Sequence, residues 1–444
     1  MEIVAFIIGV VLLVVGLAVS IALHEIGHLV PAKKFGVRVG QYMIGFGPTL
    51  WSRRRGETEY GVKAIPLGGY ISMAGMYPPS PDALQAQGPA ASGRAGGGFF
   101  ATMVQDARSA NDETLLEDDD RVFYKLAVWK RVVIMLGGPI MNFLFAIVLF
   151  TILLSGIGVQ TATTTIARVN ECLPADSSRT ACIASDPASP AATAGFEPGD
   201  VIVAVDGTPV AIFAEASEII RASAGDTIPV IVQRDGAEQS LRLTPAAVTQ
   251  QAVDAQGIPV TDAEGQPELV QVGFAGIGPT AEFVHQPVWA GPQAAVENVG
   301  AVAGIVWQLP VKVWQTGVSL VTGEERDPNG PLSIVGAGRL SGEVAASEAP
   351  VLNRVAGFVG LLASLNIALF VFNLIPLLPL DGGHVVVALW DGLKRTWAKV
   401  FRRPPPKPVD ATRLVPATFA VFVALLVMGG VLILADIFNP VVLF

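Results

Sequence analysis

The stretch IVAFIIGVVLLVVGLAVSIALHEIGH, residues 3–28, has no charge through residue 23 and then meets His24-Glu25-Ile26-Gly27-His28. An apolar run of about 20 residues crosses a bilayer as a helix. Residues 3–23 therefore predict a membrane helix with two histidines and a glutamate at its far end. Three more uncharged stretches of comparable length follow, at 132–159, 355–380 and 414–435. Of the 444 residues 51% are apolar and 15% charged, with mean hydropathy +0.53. A soluble domain carries about 25% charged residues. The expected fold class is a polytopic α-helical membrane protein with four transmembrane helices. A cytosolic enzyme and a nucleic-acid reader are excluded, and the lipid bilayer is the first partner. Only Met1 and Glu2 precede the first run, and Lys33 and Lys34 follow it. It lacks the basic leader of a secretory signal and reads as a retained helix.

Orientation follows from the placement of Lys and Arg. Residues 31–131 hold 13 basic and 10 acidic side chains, and residues 384–413 hold seven and two. Residues 160–354 carry 9 basic against 22 acidic, a net of −13. The two basic loops are expected in the cytosol. Both termini and the long acidic segment are expected outside, across the cytoplasmic membrane. Cys172 and Cys182 lie in that outward segment, where disulfides persist, so a local bridge is expected.

The segments between spans differ in texture. Residues 33–76 have strand character broken by turn residues, Gly45-Phe46-Gly47-Pro48 and Pro66-Leu67-Gly68-Gly69. They predict a β-hairpin or small sheet lying against the membrane. Residues 77–120 are rich in Pro, Gly, Ala and Ser without apolar periodicity, and predict a flexible cytosolic insertion. Residues 161–250 alternate short β-rich runs with one helical stretch near 213–221, an α+β domain of ordinary small size. Residues 251–353, apolar at 289–321, are assigned to the outer face as amphipathic surface helices. Residues 384–413 read as a cytosolic loop.

On a helix, His24 and His28 share a face about 6 Å apart along the axis. Both imidazoles can reach one zinc, with Glu25 beside the open position as general base. A catalytic zinc wants a third protein ligand. The end of the third span reads Asn373-Leu374-Ile375-Pro376-Leu377-Leu378-Pro379-Leu380-Asp381-Gly382-Gly383. That span runs inward, as the first does, so Asp381 falls in the same leaflet as His28 and is the expected third ligand. Broken backbone at membrane depth is tolerated where it lines a protein cavity. His384 competes, but it follows the turn and is read as lying behind the ligands or on the surface. Gly137-Gly138-Pro139-Ile140-Met141-Asn142 opens the second span. Asn142 and Asn373 are candidates to donate to a substrate carbonyl or its oxyanion.

These stretches resemble the bacterial site-2 protease family of intramembrane zinc metalloproteases. The likeness is carried by residues 24–28, 45–48, 54–69, 129–142 and 373–383. Residues 189–210, SPAATAGFEPGDVIVAVDGTPV, resemble part of a bacterial PDZ domain. The resemblance implies Zn2+ held by His24, His28 and Asp381, with Glu25 as base. It implies that the hairpin, with Gly45, Phe46, Gly68 and Gly69, pairs with unwound substrate, and that Asn142 and Asn373 assist. It implies single-span membrane substrates of the anti-sigma-factor type, already cut outside by a site-1-type protease. The chain departs from the family pattern in having one PDZ-like domain instead of two, and in residues 77–120. Two competing readings are a membrane-tethered PDZ scaffold and a metal transporter using the same three ligands. The near absence of other ionisable groups in the four spans argues against a transit path.

Overall fold

In the computed structural model the described residues are 2–76, 78, 120–173, 182–183, 186–252, 268–324, 326–327, 330–404, 406, 409 and 414–441. Residues 79–119 of the expected insertion lie outside them. The chain divides into two compact units, residues 158–286 and the remainder.

The larger unit is helical. Its first helix, α1, is Glu2–Lys34, and α2 is Val128–Thr151, continued by a π-helical turn Ile152–Ile157. The two backbones touch at Gly27 and Gly137, where a Cβ on either residue would collide with the carbonyl of the other. Small residues permit this approach between membrane helices. Another helix of this unit crosses to α2 through a core of Ala146, Leu149, Phe150, Leu362, Ala363 and Ile367. That helix is Val351–Asn373; counting in chain order through both units, it is α7.

Among the described residues five helices are long and apolar enough to cross a membrane. Four correspond to the expected spans: α1, α2, α7 and the last helix, α9, Val415–Phe438. The fifth is α5, Ala290–Thr322, over the apolar run assigned to the outer surface. Its first turn packs Gly291 on Thr151, at the end of α2 remote from Gly137. Its last turn meets Asn439, whose Nδ2 donates to Ser319 O at 3.4 Å. Trp307, Trp314 and Val321 are 88%, 74% and 87% exposed.

At that same end, α6 (Ile334–Ala346) leans on the start of α1, where Ser341 Oγ donates to Gly9 O at 2.9 Å. The first turn of α6 is held by Asp436 of α9. Its Oδ2 accepts from Ser333 N at 2.7 Å and Gly336 N at 3.1 Å. Arg326 Nη1 pairs with the other carboxylate oxygen, and both side chains are buried. A carboxylate at a helix N-terminus satisfies otherwise unpaired amides.

At the opposite end lie the hairpin strands β1 (Val39–Arg55) and β2 (Thr58–Met73). Gly45 and Gly47 take φ of +92° and +82°, a conformation glycine adopts without steric cost. The ribbon bends there and doubles back, so Tyr42 pairs with Ile71 on one side and Tyr60 on the other. Tyr42 Oη donates to Ala22 O at 2.8 Å, pinning the sheet to α1.

The expected loop at 384–413 is corrected: a helix, α8, occupies Asp381–Val400. Val386, Leu389, Trp390, Leu393, Trp397 and Val400 recur at helical spacing on its exposed side. The basic residues among them concealed that period from a reading weighted by charge. Arg131 of α2 clamps α8 through Asp391, Nη1 to Oδ2 3.1 Å, both side chains buried.

The smaller unit holds β3 (Val159–Val169), α3 (Pro190–Ala194), β4 (Val201–Val205), β5 (Thr208–Pro209), α4 (Phe213–Ala222), β6 (Ile228–Arg234), β7 (Ala237–Leu243), β8 (Ala246–Gln251), β9 (Leu269–Phe274) and β10 (Ile277–Val284). The main sheet runs β10-β3-β4-β6-β7, with β5 on β4 and a separate β8-β9 pair. The expected boundary at residue 250 is corrected, because β10 returns to pair with β3 and carries the unit to residue 286. The core gathers Ile166, Phe196, Ile202, Val205, Ile220, Val230, Val232 and Leu243. Arg234 grips the buried Asp200 with two bonds, Nε to Oδ1 2.7 Å and Nη2 to Oδ2 2.8 Å. That guanidinium holds the Asp200 carboxyl below the usual carboxylate range. Cys172 and Cys182 are joined by a disulfide.

Candidate metal centre and active site

One turn of α1 places the rings of His24 and His28 edge to face, centroids 4.8 Å apart. Their Nε2 atoms approach to 3.1 Å. Asp381 Oδ2 lies 3.2 Å from His24 Nε2 and 3.4 Å from His28 Nε2. The loop through Pro376 and Pro379 folds back under α7 to deliver it. A Cβ on Gly382 would strike the Leu374 and Ile375 carbonyls, and one on Gly383 the Leu377–Leu378 peptide. The two glycines therefore let α8 start directly under the end of α7. Gly138 of α2 completes the cradle, since a Cβ there would collide with His28 Nε2.

The hydrogen bonds behind the rings decide what the cluster can hold. His28 Nδ1 lies 2.7 Å from Ile134 O, and His24 Nδ1 lies 2.6 Å from Asn142 Oδ1. An acceptor oxygen at each Nδ1 assigns the ring proton there. Both Nε2 atoms then turn lone pairs toward Asp381 Oδ2, which is buried and has no donor of its own. Three acceptors converging in this way make a set that can hold a cation. Two imidazoles and one carboxylate are a donor set for catalytic zinc with a position left open. The carbonyl and amide behind the rings fix their orientation, as such partners do in metal sites.

Glu25 is 7% exposed. Gly69 of β2 runs beside it, so close that a Cβ on Gly69 would lie 3.1 Å from Glu25 Cγ. Gly68 backs onto the Phe46 ring, and Phe46 stacks on Tyr70 with centroids 6.5 Å apart. Gly45 makes the bend that brings these pieces together.

Of the two asparagines, Asn142 falls elsewhere than expected. Asn142 is wholly buried behind His24, its Nδ2 donating to Asn366 Oδ1 at 3.0 Å and Ser20 O at 3.3 Å. With both ends of its amide engaged, it faces no substrate. Asn373 donates to Leu369 O of its own helix at 3.0 Å. His384 is not among the three converging ligands and lines a small cavity with Tyr124, Arg131 and Asp391. Ser20 and Asn366 were missed by the sequence reading. Their signal was present, since a polar side chain inside an uncharged span needs a partner.

Residues 12–403 match the family model described as peptidase family M50. The chain is 34% identical over 450 residues to the zinc metalloprotease Rip1 of Mycobacterium tuberculosis, covering 99% of each. Identity is 33% to that of Mycolicibacterium smegmatis, over 98% of this chain and 99% of the relative. The metalloprotease MmpA of Caulobacter vibrioides is 28% identical over 88% of both. The converging ligands, the buried glutamate beside them and likeness along nearly the whole chain agree: this protein belongs to peptidase family M50, the site-2 proteases, and is a zinc metalloprotease of the membrane.

Proposed function

We propose that the enzyme hydrolyses peptide bonds within the transmembrane segment of single-span proteins, of the anti-sigma-factor type, after a site-1-type protease has cut them outside. The observation that carries this is the edge of β2 at Gly68–Gly69 passing alongside Glu25. A transmembrane helix hides its amides in its own hydrogen bonds. A substrate must unwind before cleavage, and a strand edge beside the base supplies replacement bonds by β-strand addition. Gly45 and Phe46 support that edge, and Asn373 lies on the helix leading to Asp381.

His24, His28 and Asp381 would hold the metal. Zinc, when bound, supplies Lewis-acid polarisation of the scissile carbonyl and makes water a nucleophile near neutral pH. Glu25 takes a proton from the attacking water and returns it to the leaving amine. The Gly69 backbone orients the extended substrate against that carboxylate. The tight α1–α2 contact at Gly27 and Gly137 restricts water.

The topology we propose has four spans, α1, α2, α7 and α9, in the cytoplasmic membrane. The hairpin lies against the membrane near the cytosolic side, at the depth of the active site. The unit at residues 158–286 is a PDZ-like domain outside. The contacts of both ends of α5 with the same end of the bundle support its lying along the outer surface, where exposed tryptophans are at home. The domain outside is proposed as a filter that excludes substrates still carrying a large outer part. A receptor that captures a freshly cut C-terminus is the other version.

The test compares membranes of cells with wild type and Glu25→Gln for single-span fragments. Shortened fragments should accumulate in the variant, and purified wild type should cut them within the span. Cleavage confined to soluble loops would overturn the reading.

A further inference from the structure

Behind the metal ligands runs a chain of buried polar groups that no catalytic step uses. Ser20 of α1, Asn142 of α2 and Asn366 of α7 are all 0% exposed. Ser20 Oγ donates to Gly16 O at 2.9 Å. Asn366 Nδ2 donates to Ser20 Oγ and to Leu362 O, both at 2.9 Å. Asn366 Oδ1 accepts from Asn142 Nδ2 at 3.0 Å, and Asn142 Oδ1 faces His24 Nδ1 at 2.6 Å.

The direction of each bond follows from the one before it. Gly16 O and Leu362 O are backbone carbonyls and can only accept. Leu362 O therefore turns the NH2 group of Asn366 toward itself, and the Ser20 hydroxyl, having spent its hydrogen on Gly16 O, offers Asn366 only a lone pair. The remaining oxygen of Asn366 must then accept from Asn142. This, together with the second bond from Asn142 Nδ2 to the Ser20 carbonyl at 3.3 Å, leaves the Asn142 oxygen facing His24. An oxygen there requires the hydrogen of the neutral imidazole on Nδ1 and leaves Nε2 bare. Were the Asn142 amide reversed, its NH2 group would face Nδ1, the ring hydrogen would move to Nε2, and His24 could not bind a metal. His28 needs no such relay, because Ile134 O fixes its ring directly at 2.7 Å.

We propose that Asn366 and Ser20 are positioning residues that determine which nitrogen of His24 carries the hydrogen, and thereby keep its Nε2 available to zinc. The effect crosses three helices and ends at one ligand. Partners of this kind behind a metal ligand typically govern about 10–100-fold in metal affinity.

The test uses the full chain in detergent micelles with zinc itself as probe, its affinity read by chelator competition. About one tightly bound zinc per wild-type chain in the same assay separates this proposal from the metal assignment beneath it. Asn366→Leu should weaken zinc about 10–100-fold while the thermal midpoint shows the protein still folded. Nitrogen-15 spectra of labelled histidine in metal-free protein should show His24 shifting from one tautomer to a mixture, with His28 unchanged. In an Asn142→Ala background, Asn366→Leu should add little, because the path runs through Asn142. If Asn366→Leu does not fold, Ser20→Ala carries the test: a smaller loss in the same direction, restored by Ser20→Thr. Wild-type tautomer and zinc affinity within about twofold in folded Asn366→Leu would overturn the proposal. So would an equal loss with and without Asn142, which marks general loosening of the packing.

Discussion

At Gly138 a single methyl group separates a working centre from a blocked one. Its Cβ would enter the space in front of both Nε2 atoms, so Gly138→Ala should lower zinc affinity by at least tenfold, measured by competition with a chelator. Glu25→Gln should behave in the opposite way, holding zinc at the wild-type level while hydrolysis of a transmembrane peptide falls below detection. His24→Ala and Asp381→Ala should each reduce bound zinc, read by atomic emission. Full occupancy in Asp381→Ala would remove it from the ligand set. The clustering of His24, His28 and Asp381 was legible in the sequence because metal chemistry imposes a spacing on the two histidines, and because two spans of the same direction put Asp381 level with His28. Asn142 was legible as important but not in its role. Which way an amide faces depends on neighbours from two other helices, and no local pattern encodes that.

The interplay of charge and period explains why α8 escaped notice. Basic residues suggested solvent, yet Asp391 and Arg131 form a buried pair that ties α8, and Asp381 at its head, to α2. Removing one partner of such a pair strands the other, at a cost of about 3–5 kcal/mol, whereas replacing both by apolar residues is often neutral. Asp391→Leu should therefore lower the thermal midpoint sharply, and Arg131→Met with Asp391→Leu should recover most of it. Equal midpoints for the single and double variants would disprove a coupled pair. The hairpin was legible from its glycines and turn residues, but its doubled-back register was not. That register depends on Gly45 and Gly47 bending one strand so that Tyr42 meets two partners. The return of β10 was hidden for a related reason: its partner β3 lies more than 100 residues earlier in the chain.

The whole molecule carries two kinds of reinforcement. In the smaller unit the Cys172–Cys182 bridge closes a short loop and should contribute about 2–3 kcal/mol. Cys172→Ser should lower the unfolding free energy of that unit by this amount, and alkylation before and after reduction should find no free thiol in oxidised protein. There too, the Asp200–Arg234 link makes stability depend on pH. The folded carboxyl titrates below its unfolded value, so the stabilisation is complete above about pH 4 and fades as pH falls through the lower folded value. Asp200→Asn should flatten that acid limb in a denaturant titration. Deleting residues 158–286 separates filter from receptor: uncut substrate becomes cleavable in the first case, and pre-cut substrate is spared in the second. The other reinforcement is the buried Arg326–Asp436 pair with the two amides of α6 that it serves. Synthesis proceeds from the N-terminus, so α6 leaves the ribosome roughly a hundred residues before the carboxylate that caps it. Until then a partly made chain can already carry His24, His28 and Asp381 while α6 is unlatched, and maturation finishes at the end of the helical bundle farthest from that cluster.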